Sequence, residues 1–323
     1  MIVVTGGAGF IGSALAQKLS DDGHRDLIIV DDVDHPEKQK NLDAFQYHEL
    51  QSKEVFLDNV HKGNLPELQA ILHMGACSST TETDEVFLTK NNFDYTRDLA
   101  QYCLEKGVRF IYASSAATYG DGEQGYDDDE SKLETLKPLN LYGESKQNLD
   151  LWAKREGVFD KIVGLKYFNV YGPNEYHKGD MQSLARKGFF QASDHRKIRL
   201  FKSYKPQYTD GGQERDFLYV KDAVAMTLFF LDRPEIGGLY NVGSGTARNW
   251  NNLAKAIFFA LDREPVIEYI DMPESIRNQY QYHTQAKMDK IRQAGYSPPT
   301  TTLEAGITDY VQNYLLPGKR LGQ

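Results

Sequence analysis

Apolar residues in this chain fall in short runs that alternate with stretches of helical spacing. Ile2–Thr5, Leu27–Val30, Ala70–Met74, Arg109–Ser114 and Lys161–Tyr167 are near-continuous apolar runs, the pattern of strands covered on both faces. Between them, Ile11–Ser20 places Ile11, Leu15 and Leu19 on one helical face. Asn91–Lys106 reads as a helix ending near Gly107, and Asn140–Glu156 as one ending at Gly157. Strands alternating with helices at this spacing predict an α/β fold, a Rossmann-like doubly wound parallel sheet. After Val170 the pattern loosens, with Gly172-Pro173, Gly179 and Gly211-Gly212 as punctuation. Asp216–Val220 then reads as a strand returning to the sheet, Asp222–Leu231 as a helix and Leu239–Val242 as a short strand. The remaining elements are a helix at Trp250–Leu261, a strand at Val266–Ile270 and a last helix over Leu303–Leu315.

Composition narrows the setting. The 323 residues are 40% hydrophobic and carry a formal net charge of -9. A chain of that length supports one large domain or two coupled ones, and its negative field disfavours nucleic acid and anionic membrane surfaces as partners. Cys77 and Cys103 are far apart and lack metal-ligand spacing, so neither a disulfide framework nor a metal site is expected. No apolar stretch is long enough to span a bilayer. Met1 runs straight into the first strand with no leader-like segment. A cytoplasmic protein is the expectation.

The first strand is followed by Thr5-Gly6-Gly7-Ala8-Gly9-Phe10-Ile11-Gly12, a G-x-x-G-x-x-G turn that opens the first helix. Glycines there allow a tight turn, close approach of the backbone to a pyrophosphate and close helix–strand packing. The free N–H groups of the helix start favour phosphate. A glycine-rich turn without a ligand is the plainer alternative, and the strand–turn–helix context argues against it. Asp31 and Asp32 close the second strand, where an acid can accept hydrogen bonds from an adenosine ribose. A carboxylate there favours NAD. Lys38 and Lys53 could neutralise the extra phosphate of NADP, although as isolated residues they read as solvated lysines.

Tyr142-Gly143-Glu144-Ser145-Lys146 is a Y-x-x-x-K motif within the predicted Asn140–Glu156 helix, so both side chains share a face. A tyrosine is a poor base at neutral pH unless a neighbouring cation favours its phenolate. Lys146, one turn away, can provide that, making Tyr142 a candidate acid/base for alcohol–ketone interconversion. Ser115, at the carboxyl end of the Arg109–Ser114 strand, can hydrogen-bond a substrate oxygen, with Ser114 as the alternative.

These motifs, with Ser114–Gly120 and Tyr167-Phe168-Asn169-Val170-Tyr171-Gly172-Pro173, resemble the nucleotide-sugar epimerases and dehydratases of the extended short-chain dehydrogenase/reductase class. Three longer strings are more specific: Gly75-Ala76-Cys77-Ser78-Ser79-Thr80-Thr81-Glu82, Asn174-Glu175-Tyr176-His177-Lys178-Gly179 and Arg215-Asp216-Phe217-Leu218-Tyr219-Val220. Together they resemble the ADP-glyceromanno-heptose 6-epimerase family over nearly the whole chain.

The resemblance implies a bound NADP, with NAD as the alternative, that oxidises C6″ of an ADP-heptose and re-reduces the ketone on its other face. It implies Tyr142 and Lys178 as the two proton-transfer groups, Lys146 as the ribose-orienting lysine and Ser115 as their partner. Phe10, Ile11, Asp31, Asp32, Lys38, Lys53, Asn91, Val170 and the segment Met74, Gly75, Ala76, Cys77, Ser78 fall on cofactor positions, beside Gly6, Gly9 and Gly12. Asn169, Asp180, Lys187, Phe201, Arg215 and Tyr280 fall on substrate positions, although the family usually carries serine at 180, histidine at 187 and asparagine at 32. It further implies an NADP-binding domain over residues 1–170, rejoined by 216–245. A smaller C-terminal α/β substrate domain would take in 171–215 and 246–316. A homo-oligomer, a pentamer in that family, and a role in lipopolysaccharide biosynthesis complete the expectation. A UDP-hexose 4-epimerase would use the same Ser115, Tyr142 and Lys146 but would not need Lys178. A 4,6-dehydratase would need an acid pair where Ala116-Ala117 stand. A non-catalytic NADP-binding protein on this fold is the reading of a different class.

Overall fold

The structure is a computed structural model that describes residues 1–277 and 280–323. Its centre is a seven-stranded parallel sheet. In chain order the first six of its strands are β1 (Ile2–Thr5), β2 (Leu27–Val30), β3 (Glu49–Gln51), β4 (Ala70–His73), β5 (Arg109–Ser115) and β6 (Ile162–Tyr167). Three short strands, β7 (Asn169–Tyr171), β8 (Ile198–Phe201) and β9 (Glu214–Tyr219), lie outside it. β10 (Gly238–Val242) returns, and the strand order across the sheet is β10-β6-β5-β4-β1-β2-β3. The order reverses between β1 and β4, the switch point where such sheets open a crevice at their carboxyl edge.

The helices that matter for the site are α1 (Phe10–Asp21), α2 (Pro36–Leu42), α3 (Lys53–Lys62), α4 (Glu85–Leu88), α5 (Tyr95–Lys106), α6 (Leu141–Arg155), α7 (Leu184–His195), α8 (Val220–Leu231) and α9 (Trp250–Ala260). Successive strand residues point to opposite faces, and both faces are covered. Val3, Ile28, Ile71 and Phe110 meet α3, α5 and α6 side chains on one face. Val4, Ile29, Leu72 and Ile111 pack on the other against Ala16, Ala223 and Phe230. That two-sided burial is why these strands appear in the sequence as unbroken apolar runs.

Two elements differ from the sequence reading. The strand read at Asp216–Val220 does not rejoin the main sheet. As β9 it forms a separate three-stranded sheet, parallel to β7 and antiparallel to β11 (Ala247–Asn249). A buried strand looks the same in either sheet, because local periodicity does not encode its partner. The Asn91–Lys106 helix is longer and composite, α4 passing through a π-helical turn (Thr89–Asp94) into α5. Elsewhere, β12 (Ile267–Ile270) pairs with β8, and a second core forms around α7, α9 and the helix Leu303–Tyr310.

Candidate active site

The carboxyl edge of the sheet opens into a cavity of about 620 Å³, a volume suited to a cofactor-sized ligand. Its floor is the glycine turn. Gly6 has φ +63, and a Cβ there would lie 2.7 Å from the Gly75 Cα. A Cβ on Gly12 would lie 2.1 Å from the Gly6 carbonyl oxygen. Side chains are therefore excluded where β1, β4 and α1 converge. α1 starts at Gly9 with no side-chain cap, so its first N–H groups are left for a ligand. His177, on the facing loop, carries a buried Nδ1 with no hydrogen-bond partner among the described residues, and its Nε2 comes within 3.9 Å of where a Gly9 Cβ would stand. Burial and the neighbouring lysines push its pKa down to about 4, so the ring is neutral near pH 7. Uncapped amides, a side-chain-free turn and an orphaned imidazole nitrogen fit a dinucleotide pyrophosphate.

Beyond the turn, Asp31 Oδ2 accepts the Ala8 N–H (3.0 Å) and its Oδ1 accepts Lys38 Nζ (3.1 Å). Burial raises the Asp31 pKa, opposed by Lys38. Lys38 also reaches Asp34 at 3.0 Å, and Lys53 pairs with Asp32 at 3.1 Å and Asn91 at 3.2 Å. Both lysines expected at a 2′-phosphate thus already hold carboxylates.

On the opposite wall, Asn140 caps α6 through the Gly143 N–H (2.8 Å) and sets the helix so that Tyr142 and Lys146 face the cavity. Lys146 Nζ donates to the Ala113 carbonyl (2.7 Å). Burial lowers its pKa to about 8. Burial raises that of Tyr142, while the adjoining Ser115 hydroxyl pulls it down. Ser115 Oγ also accepts the Ala117 N–H (3.1 Å), which orients it.

The third wall is the loop after β7. Glu175 is buried there, its Oε1 accepting Ser183 Oγ (2.7 Å), Tyr310 Oη (3.1 Å) and the Gly172 N–H (3.3 Å), and its Oε2 the Ser183 N–H (2.5 Å). Asn174, at φ +78, donates to Ser13 Oγ (3.0 Å) and accepts from Asn41 through its carbonyl (3.1 Å). So anchored, the loop holds Lys178 Nζ 5.4 Å from the Phe10 ring centroid. Burial lowers the Lys178 pKa.

Gly6, Gly9, Phe10, Ile11, Gly12, Asp31, Asp32, Lys38, Lys53, Met74–Ser78, Asn91, Lys146 and Val170 all line this one cavity, with Ser115, Tyr142 and Lys178. The residues expected at substrate do not. Arg215 is buried on β9 with its guanidinium over the rings of Tyr280 (5.1 Å) and Trp250 (5.6 Å), and Tyr280 stacks edge-on to Phe201 (6.3 Å). Arg215 makes no ion pair among the described residues; its one side-chain hydrogen bond there is to the Glu214 carbonyl (2.8 Å). That leaves a buried fork of donors for an anionic group. Asn169 is exposed, and Lys187 donates to the Asp180 carbonyl (2.5 Å) rather than facing either cluster. Sequence reading overlooked Asn92, which binds the Cys77 N–H (2.9 Å) and carbonyl (3.0 Å) and Ser145 Oγ (3.0 Å), tying one wall to α6. It also overlooked Trp250, which donates to Tyr280 Oη (2.9 Å). No local pattern marks either; each contact joins residues distant in the chain.

Comparison with known proteins shows what the chain is similar to. Residues 2–243 match the NAD dependent epimerase/dehydratase family. The chain is 54% identical over 98% of both chains to an ADP-L-glycero-D-manno-heptose-6-epimerase of Nitratidesulfovibrio vulgaris. It is 47% identical, again over 98% of each, to one of Fusobacterium nucleatum. A crystal structure of the Helicobacter pylori ADP-L-glycero-D-manno-heptose-6-epimerase superposes with a TM-score of 0.81 at 28% identity, covering 97% of this chain and 95% of that one.

Proposed function

The chain belongs to the NAD dependent epimerase/dehydratase family, and on that premise we propose that it inverts C6″ of ADP-D-glycero-β-D-manno-heptose to give the ADP-L-glycero-β-D-manno epimer. The enzyme is an isomerase working through a transient 6″-ketone. The observation that carries this reading is the pair Tyr142 and Lys178, which approach one cavity from α6 and from the loop after β7. Inversion needs proton transfer on two faces of the sugar, and two titratable groups on two walls supply it.

A bound nicotinamide supplies the hydride acceptor and donor. Tyr142, beside Ser115, takes the proton of the 6″-hydroxyl as C6″ is oxidised. After the ketone has turned, Lys178 gives the proton to the oxygen as C6″ is reduced on its other face. Both steps reverse in the other direction, so no net redox change results. Lys146, held by the Ala113 carbonyl, would orient the ribose of a bound nicotinamide and supports the phenolate. Arg215, in its aromatic cage, binds the diphosphate. Elimination of water, as in a dehydratase, lacks an acid at Ala116-Ala117.

The cofactor is a nicotinamide dinucleotide. Sequence resemblance points to NADP, but Lys38 and Lys53 are already held by Asp31, Asp34 and Asp32, which supports NAD as the preferred form. No helix among the described residues is long and apolar enough to cross a membrane. A cytoplasmic homo-oligomer that supplies activated heptose for lipopolysaccharide is the setting that accords with this chemistry.

The test is incubation of the protein with ADP-D-glycero-β-D-manno-heptose, without added cofactor, followed by NMR. The L-glycero epimer is expected to appear, and both Tyr142→Phe and Lys178→Met to lower its rate by about 10²–10⁴-fold. No turnover of this sugar, with turnover of a UDP-hexose, would overturn the substrate. An unimpaired Lys178→Met would overturn the two-group scheme.

A further inference from the structure

Behind the cavity, and outside the residues that line it, lies a charge pair with no access to solvent. Asp150 and Lys166 both have 0% side-chain exposure, with Lys166 Nζ 3.0 Å from Asp150 Oδ2. Burying an ion pair costs desolvation that its mutual attraction rarely exceeds, so such a pair is weak evidence for stability and asks for another reason. Its surroundings are fully satisfied. Asp150 Oδ1 accepts the Tyr112 hydroxyl (2.8 Å), Oδ2 accepts the Ser114 hydroxyl (2.7 Å), and Lys166 donates to Thr118 Oγ1 (2.6 Å) and lies 4.9 Å from the Tyr119 ring centroid.

The placement supplies the reason. Asp150 is on α6, one turn beyond Lys146 and two beyond Tyr142. Its partners Tyr112 and Ser114 are on β5, the strand that ends in Ser115 and whose Ala113 carbonyl holds Lys146. Lys166, on β6, is the register partner of Ser114. One carboxylate therefore locks the helix that carries the tyrosine and lysine to the strand that carries the serine; it pairs with Lys166, and Lys146 stands one turn away from it on the same helix.

We propose that Asp150 and Lys166 are positioning residues for the reaction, which act through Lys146: the buried carboxylate sits one helical turn from Lys146 on α6 and draws on its charge, and Lys166, 3.0 Å from the same carboxylate, limits that pull. This rests on the role given to Lys146 above. The other titratable groups facing Lys146 are Tyr142 on its own helix, Cys77 after β4 and His73 on β4. Of these, His73 stays neutral near pH 7. Asp150, one turn along α6 from Lys146, carries a charge that opposes the downward push of burial on that lysine.

The two charges predict opposite effects, which a merely structural pair would not. Lys146 deprotonation sets an alkaline limit on dinucleotide binding and on turnover. Asp150→Asn leaves two lysines without a carboxylate, so that limit moves to lower pH by about one unit. Lys166→Met leaves the carboxylate to Lys146 alone, so the limit moves to higher pH. The double variant lies between them. Tyr112→Phe, which removes a hydrogen bond but no charge, leaves the limit in place.

The experiment is calorimetric titration of the purified protein, stripped of nucleotide, with NAD between pH 6 and 10, alongside the epimerisation rate over the same range. If Asp150→Asn does not fold, Lys166→Met and the double variant still decide the sign. Limits that do not move, or that move in the same direction in both single variants, overturn the proposal. A wild-type protein that binds NAD with the expected limit and variant shifts but leaves the heptose unchanged overturns the proposed substrate and keeps the positioning role.

Discussion

Asp32 and Lys53 form an ion pair of 3.1 Å in the wall of the cavity at the carboxyl edge of the sheet, two residues that the backbone also joins through the Lys53 N–H and Asp32 Oδ1 (3.4 Å). A 2′-phosphate arriving there meets a lysine that is already neutralised and a carboxylate that repels it. Asp32→Asn removes the repulsion and frees Lys53. The ratio of NADP to NAD affinity is expected to rise by about tenfold, a change of about 1.4 kcal/mol. Fluorescence titration of the two nucleotides checks this, and mass analysis of nucleotide released from the purified protein checks the native preference. An unchanged ratio would mean that the 2′-position lies elsewhere.

Among the described residues, the Arg215 guanidinium meets the rings of Tyr280 and Trp250 and the Glu214 carbonyl. If it binds the diphosphate, Arg215→Met weakens substrate binding by a charge-assisted interaction of about 1.5–3 kcal/mol, or about 10–100-fold in KM. NAD affinity, governed by the other cavity, stays as it was. A variant that loses NAD and substrate together would instead mark Arg215 as a support of the fold.

Every partner of the Glu175 carboxylate is a donor. Glu175→Gln turns one oxygen into an NH2 group that must face another donor, at a cost of about 1–3 kcal/mol. Denaturant unfolding is expected to show that loss. Because the same carboxylate anchors the loop bearing Lys178, kcat is expected to fall further than stability alone explains. Equal kcat in variant and parent would separate the anchor from the chemistry.

His73 lies buried between Thr5 Oγ1 (2.6 Å) and Thr96 Oγ1 (2.8 Å), and burial drops its pKa from an ordinary 6.5 to about 3. Between those values the unfolded chain binds a proton that the folded protein does not, so stability falls as pH drops below about 6.5. At pH 5 the loss is about 2 kcal/mol relative to neutral pH. His73→Gln is expected to be less stable at pH 8 and to flatten the decline of unfolding free energy between pH 7 and 5. The same slope in both proteins would assign the acid sensitivity to other groups.

The strands on which the site is built were readable because Ile2–Thr5, Leu27–Val30 and Ala70–His73 are covered on both faces and leave no polar position to blur the run. β3 was not, since Glu49, Leu50 and Gln51 sit at an open sheet edge with none of them buried. The cavity-lining residues were readable for another reason. A turn that excludes side chains must be written in consecutive glycines, and a tyrosine and lysine on one helical turn must be four apart. Arg215, Trp250 and Tyr280 meet across long sequence separations, and only the string around Arg215 pointed there. Asp150 and Lys166 gave no signal at all: an acid on a helix and a lysine in a strand look like solvated positions until Tyr112, Ser114 and Thr118 are seen to close over them.

β7 pairs with β9 in a fixed register, Val170 opposite Leu218. Val170 lines the dinucleotide cavity, and Arg215 lies three residues before Leu218 on the neighbouring strand, about 10 Å along it at the usual rise of an extended chain. The span from the cavity at Val170 to the Arg215 guanidinium is therefore measured by a sheet, whose spacing cannot stretch and whose slip by one residue would turn Arg215 to the other side. On the proposed function such a site would work as a caliper: it would select a glycosyl diphosphate by the distance between reacting carbon and phosphate, grip one end, and leave the other free to pivot so that a single hydride could be taken from one face and set down on the opposite one.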